Sequence, residues 1–221
     1  MISVDEYLKL NNKNPFYTSK PYDGQEEDKQ AIIEYNKELI KMYPWLLPRN
    51  VWTGEVVEDY DYHYTELDSL PDGWYKAFGL DICKEIQEAL EEAQRKNPDG
   101  GYEESAITTK YDSDKIIPYP EGYLIVEIKE KFGSLRWYDN GATQKVHDII
   151  AKYERLSEGI CIKCGKPAVW ESTGWISFFC DDCAKSIFET EEAYAKANYS
   201  SYKPGKFENH FKPLEKSEEN S

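Results

Sequence analysis

Apolar positions recur along this chain with two different periods, and the periods sketch most of its elements. Trp74, Phe78, Ile82, Ile86 and Leu90 fall at four-residue steps and are joined by Cys83 and Ala93. That spacing predicts an amphipathic helix. The turn Leu70-Pro71-Asp72-Gly73 launches it, and Asn97-Pro98 with Gly100-Gly101 stops it. Ile32, Tyr35, Leu39 and Met42 share one face of a second predicted helix over Glu26–Met42, which Pro44 and Pro48 end. Val146, Ile149, Ile150, Tyr153 and Leu156 predict a third helix over about Thr143–Leu156, and Ser3 can cap a short one through about Leu10. A period of two appears at Tyr123–Lys129, with Leu124, Val126 and Ile128 on one side and Ile125, Glu127 and Lys129 on the other. A turn at Phe132-Gly133 and a second run, Ser134–Tyr138, complete an antiparallel hairpin, with Gly133 supplying the tight backbone geometry. Tyr43–Thr53 carries Trp45, Leu46, Leu47 and Trp52 between prolines, and reads as an extended strip over the core.

The predicted fold class is α+β: helices packed on an antiparallel β-hairpin, followed by a C-terminal zinc ribbon. Four regions follow: an N-terminal helical region at 1–42, an α+β core at 43–157, the ribbon with a following helix at 158–198, and a tail at 199–221. The polar linker to about Pro120 is expected to be mobile, and the tail to be disordered after about Tyr202.

Charge narrows the function classes. The 221 residues have a net charge of −15, so non-specific attraction to nucleic acid or to an anionic membrane is disfavoured. No run approaches the roughly 20 apolar residues of a membrane span, and the start lacks the features of a secretory signal. A cytoplasmic location is therefore expected. Residues 51–100 hold 13 Asp/Glu against 4 Lys/Arg, which is −9 of the total. The acid is densest at Glu55–Asp68, interleaved with Tyr60, Tyr62, His63 and Tyr64. It reads as a solvated loop with inward tyrosines, as an acidic surface for a basic protein partner through Asp59 and Asp61, or as a hard-cation site on the same two residues.

The sharpest chemistry is cysteine. Cys161-Ile-Lys-Cys164 and Cys180-Asp-Asp-Cys183 are two CxxC pairs separated by 15 residues. Each pair can place two thiolates on one tight turn, and four sulfurs satisfy tetrahedral Zn²⁺. Two disulfides would need an oxidising compartment, and a redox CxxC would need only one pair. Four thiolates also leave no open position for water, so one structural Zn²⁺ is expected. Gly165 lets the chain turn under the metal. Val169-Trp170 and Gly174–Phe179 read as ribbon strands, with Trp175, Phe178 and Phe179 docking the ribbon onto the preceding helix. Trp170 and Trp175 could instead form an aromatic contact surface. Lys163 and Lys166 stand against Glu171, Asp181 and Asp182, a balance that argues against direct nucleic-acid binding.

Catalytic candidates are few. Glu127-Ile128-Lys129 has the (D/E)-x-K spacing of metal-dependent nucleases, with Asp112 or Asp114 as a second carboxylate. The same spacing at Glu27-Asp28-Lys29, on a predicted helix, shows that it arises without function. His63, His147 and His210 are scattered, and Cys83 belongs to a core face. Arg136, beside Trp137, either stacks and pairs within its own chain or offers an exposed partner contact. Trp45, Trp52, Trp74 and Trp137 could also line a small-ligand pocket.

Taken together, YPWLLPRN, DYDYHYTELDSLPDGWYKAFG, IKEKFGSLRWYDNG, IIAKYERLSEGICIKCGKPA and TGWISFFCDDCA resemble a group of uncharacterised proteins encoded by bacterial phages, prophages and mobile elements. The resemblance spans roughly residues 43–184. It implies a four-Cys ribbon ligated by Cys161, Cys164, Cys180 and Cys183, and implies no activity. The function expected is a non-enzymatic binding protein of phage type that modulates a host factor, including a defence component, through protein contacts. The alternative is a nuclease or nucleic-acid-processing accessory using Glu127 and Lys129.

Overall fold

The computed structural model describes residues 1–11, 26–96, 119–199, 203 and 205–214. Nearly all of the predicted mobile linker, and residues 204 and 215–221 of the predicted disordered tail, lie outside them. Two helices come first, α1 (Val4–Asn11) and α2 (Glu26–Met42). Ser3 caps α1 by accepting the Glu6 N–H at 3.2 Å. Proline then breaks the chain as expected, but Pro44–Leu46 forms a 3₁₀ turn instead of an extended strip. That turn drives Trp45 and Leu46 into the core and leaves Trp52 on the following loop, 69% exposed.

The strongest helical signal resolves into three joined pieces: a short turn α3 (Asp72–Trp74), a π segment at Tyr75–Gly79, and α4 (Leu80–Lys96). The wider π turn carries Tyr75 and Phe78 inward together, ahead of Ile82, Ile86 and Leu90. The hairpin follows as β1 (Leu124–Lys131) and β2 (Ser134–Asn140), and α5 (Gln144–Ser157) packs on β2 and on α4. Thr143 caps α5 by accepting the Val146 N–H at 3.3 Å.

The strict alternation expected of β1 fails at one point. A bulge between Ile125 and Glu127 shifts the register, so that Ile125 and Ile128 both face the core and Val126 faces solvent. Beyond the bulge, Ile128 pairs with Trp137 and Glu130 with Leu135. Trp45 fits edge-on against Tyr123 and Trp137, with centroids 5.4 and 6.2 Å away. Its indole N–H reaches Gln87 Oε1 at 2.9 Å, and that of Trp137 reaches the Tyr123 hydroxyl at 3.0 Å. Each buried indole thus keeps a hydrogen-bond partner.

A polar network pins the acidic stretch to this core. Asp68 is buried, and its carboxylate accepts the Tyr7 hydroxyl on both oxygens at 2.9 Å and the Thr65 N–H at 2.7 Å. Tyr7 stacks on Tyr35 at 4.3 Å. Asn36 donates to the Tyr62 carbonyl at 2.8 Å. Tyr60, Tyr62 and Tyr64 pack on one another, half-buried, which matches the expectation of inward tyrosines. Burial, and then the charge of Asp68, pushes the Glu66 carboxyl up to about 7.

A carboxyl raised by folding favours the protonated state of the native protein. Its contribution to stability is complete below the ordinary carboxylate value of 4.5 and is lost as pH rises through about 7. Glu66→Gln is therefore expected to flatten the decline in stability over that window and to leave the variant the more stable protein at pH 8. Urea denaturation as a function of pH checks this, and a parent curve with no such decline would contradict it.

Candidate metal centre

The four cysteines come from two structures of different kinds. Cys161 and Cys164 sit on a loop closed by two backbone bonds, Cys161 N–H to Lys166 O at 2.8 Å and Gly165 N–H to Cys161 O at 3.0 Å. Gly165 lies at φ +80°, a conformation costly for any residue with a β-carbon. Cys180 is the N-cap of α6 (Asp181–Asn198), and Cys183 lies in its first turn. The helix start orients backbone N–H groups and positive dipole charge toward these sulfurs, which favours the thiolate form. Burial, reinforced by neighbouring cysteines, pushes the thiols of Cys164 and Cys183 up; at Cys180 the backbone N–H of Cys183 and the neighbouring thiols outweigh burial and draw it down.

All four sulfurs lie within 4.8 Å of one another, and the Cys164 and Cys180 Sγ atoms are 3.5 Å apart. A tetrahedron with metal–sulfur bonds of roughly 2.3 Å has edges of roughly 3.8 Å. The donor set therefore fits one tetrahedral cation. Among the described residues this is the only converging group of three or more Cys, His, Asp or Glu side chains.

A small sheet, β3 (Trp170–Ser172) between β4 (Phe178–Phe179) and β5 (Phe211–Pro213), carries the two cysteine turns. β5 belongs to the segment expected to be disordered. It is ordered because Phe211 fills the space behind Phe179, 5.8 Å away and edge-on, and Phe207 joins Trp170 and Phe188. Thr173 N–H to His210 O at 2.8 Å and Leu214 N–H to Val169 O at 3.0 Å extend the pairing. The signal for it was present: Phe207, Phe211 and Leu214 are apolar positions at short spacing in an otherwise polar tail.

The ribbon meets the core backbone to backbone. Gly73 N–H donates to Ile162 O at 3.0 Å. A β-carbon on Gly73 would lie 2.1 Å from Cys161 O, and one on Gly165 would lie 2.7 Å from Gly73 O. A third close approach is at Gly133, where a β-carbon would lie 2.6 Å from the Phe178 ring. The expected docking onto the preceding helix is thus replaced by docking onto the turn before α4 and the tip of the hairpin. Trp175 lies 70% exposed beside that tip, its indole N–H on Glu130 Oε2 at 3.1 Å.

The remaining candidates stay apart from the metal centre. Trp137 is only 4% exposed, so the surface contact expected of the Arg136–Trp137 pair falls to Arg136 alone. Arg136 is half-buried and donates from Nη1 to Ser134 Oγ at 2.7 Å and to Leu135 O at 2.8 Å. No carboxylate pairs with it among the described residues, contrary to the expected core-edge ion pair. Asp59 is exposed at φ +56°. Asp61 accepts the His63 N–H at 3.2 Å, contacts the His63 ring, and lies 3.8 Å from Lys29. Glu127 and Lys129 pair with each other on the outer face of the hairpin. Asp112 and Asp114 lie outside the described residues. His63, His147 and His210 each neighbour a different carboxylate, Asp61, Asp139 and Glu191. Trp45, Trp74 and Trp137 are packed into the core and Trp52 is on the surface, so the four do not line a common pocket.

No family model, no curated protein and no solved structure matches this chain.

Gly73→Ala is expected to cost about 2 kcal/mol, because neither backbone can yield without opening the cysteine loop. Thermal unfolding measures it, and an unchanged Tm would show that the close approach is not a constraint. Cys164→Ser is expected to abolish stoichiometric metal binding and to open the ribbon to protease while α2, α4 and the hairpin stay folded. Limited proteolysis with mass mapping reads this out.

Proposed function

We propose that the protein is a non-enzymatic binding protein of the cytoplasm whose ribbon is stapled by one structural Zn²⁺. Cys161, Cys164, Cys180 and Cys183 would hold the ion. Four thiolates complete its shell, which suits a structural role over activation of water. Binding energy of the ion adds directly to the folding energy of a ribbon this small.

The observation that carries the binding role is the loop between Asn50 and Tyr64. Glu55, Glu58, Asp59 and Asp61 are exposed on it, together with Trp52, Val56 and Val57. Acid alone on a surface maintains solubility; acid around exposed apolar side chains is the composition of a contact surface. Its sign suits a basic protein partner, and its rigid anchoring through Asp68 lowers the entropy lost on docking. The resemblance of residues 43–184 to phage and prophage proteins supports a host factor, including a defence component, as that partner.

Elemental analysis of the purified protein is expected to return one zinc per chain; a metal-free protein that keeps its folded ribbon would refute the staple. For the binding role, proteins captured from host lysate by the parent are expected to be lost on Asp59→Lys/Asp61→Lys and on raising salt. A captured set indifferent to both changes would refute the acidic contact.

A further inference from the structure

We propose that the four-cysteine site is also an oxidation site: a hydroperoxide converts Cys164 and Cys180 into a disulfide that joins the first cysteine loop to the start of α6 and keeps the ribbon closed as the metal leaves. The proposal rests on the metal reading above and adds a covalent chemistry to the same sulfurs.

Three observations converge on this pair. The first is access. Cys161 is fully buried and Cys180 is 5% exposed, whereas Cys164 and Cys183 are partly exposed. A dissolved oxidant therefore meets the second cysteine of each CxxC pair first. The second is proximity across elements. The Cys164 and Cys180 Sγ atoms are 3.5 Å apart, one on the loop and the other at the N-cap of α6. A disulfide holds its sulfurs about 2 Å apart, so a small side-chain movement closes the gap.

The third is support that does not involve sulfur. Ile162 N–H donates to Phe178 O at 3.0 Å, and Val169 N–H to Phe179 O at 2.8 Å. Phe179 immediately precedes Cys180 and rests edge-on against Phe211. The loop and the helix start thus hang from one small sheet, and the two sulfurs stay neighbours long enough for an intramolecular second step. Cys83, the fifth cysteine, is fully buried in the core and takes no part.

The chemistry balances in two steps. The Cys164 thiolate attacks a peroxide oxygen; the S–O bond forms, the O–O bond breaks, and hydroxide leaves, giving a sulfenic acid. The Cys180 thiolate then attacks that sulfur; the S–S bond forms, the S–O bond breaks, and a second hydroxide leaves. Two sulfurs lose two electrons between them, and the peroxide gains two. Only Cys161 and Cys183 remain as donors, too few for a tetrahedral thiolate shell. The elements tied by the ion are the elements tied by the disulfide. Oxidation therefore exchanges one staple for another, whereas stripping metal from the reduced chain opens the ribbon. A dithiol reverses the link by exchange.

The test treats the zinc-loaded full chain with a few molar equivalents of hydrogen peroxide. Released zinc is followed with a colorimetric chelator, free thiols are counted after denaturation, and the link is mapped by mass spectrometry. Thiols are expected to fall from five to three as zinc is released, with Cys164 joined to Cys180. Limited proteolysis is expected to leave the oxidised ribbon as resistant as the zinc-loaded one, and to cut the reduced, chelator-stripped chain between Cys164 and Cys180. A dithiol with added zinc is expected to restore all five thiols and the metal. Zinc retained with every thiol intact, a link inside either CxxC pair or between Cys161 and Cys183, sulfinic acid at Cys164 in place of a link, or an oxidised ribbon cut as readily as the stripped one would each overturn the proposal. Zinc content before peroxide reports on the structural ion, and the link mapped afterwards reports on the cross-link, so the two readings fail separately.

Discussion

Two glycines allow the two halves of this structure to touch. Gly73 and Gly165 bring the turn before α4 and the first cysteine loop into backbone contact, and no side chain fits between them. The four-cysteine site is therefore not a bead on a linker. Whatever holds Cys161 and Cys164 in place also holds the start of the central helix, because the Gly73 N–H and the Ile162 carbonyl share one hydrogen bond. Trp74, next in the chain, is fully buried, so the ribbon is fastened next to a residue that the core itself holds.

The same coupling sets the position of the hairpin. Gly133 receives the Phe178 ring from the ribbon sheet, and Glu130 ties the turn to Trp175. A two-stranded hairpin is marginal alone; this one is covered by α5 along β2, by the 3₁₀ turns at Pro44–Leu46 and Glu66–Ser69 along β1 and by the ribbon at its tip. The acidic loop proposed as a contact surface adjoins the buried Asp68 network, and the hairpin tip is tied to Trp175 through Glu130. Rigid support of exposed aromatic and charged groups reduces the ordering cost that docking would otherwise incur.

Charge is distributed to match. The acid gathered in residues 51–100 lies on the loop and on the outer face of α4, where Glu85 and Glu92 are met by Lys152 and Lys145 of α5. Those pairs cross between helices at the surface and contribute little individually.

Much of this was legible in the order of residues. The spacing of Ile82, Ile86 and Leu90 declares a buried helical stripe wherever the helix lies, and the two CxxC pairs declare a four-sulfur site because a tight turn brings i and i+3 thiolates together without help. Ser3 and Thr143 announce helix starts by local chemistry alone. The tertiary structure decided what depends on partners distant in sequence. The bulge that turns Val126 outward answers to the shape of the core beneath it. Phe207 and Phe211 look like stray aromatics in a polar tail until β3 supplies an edge to pair with. The roles of Gly73 and Gly133 exist only once Cys161 and Phe178 arrive beside them. Periodicity and spacing are properties of one segment and can be read from it; a close approach belongs to two segments and has no trace in either one.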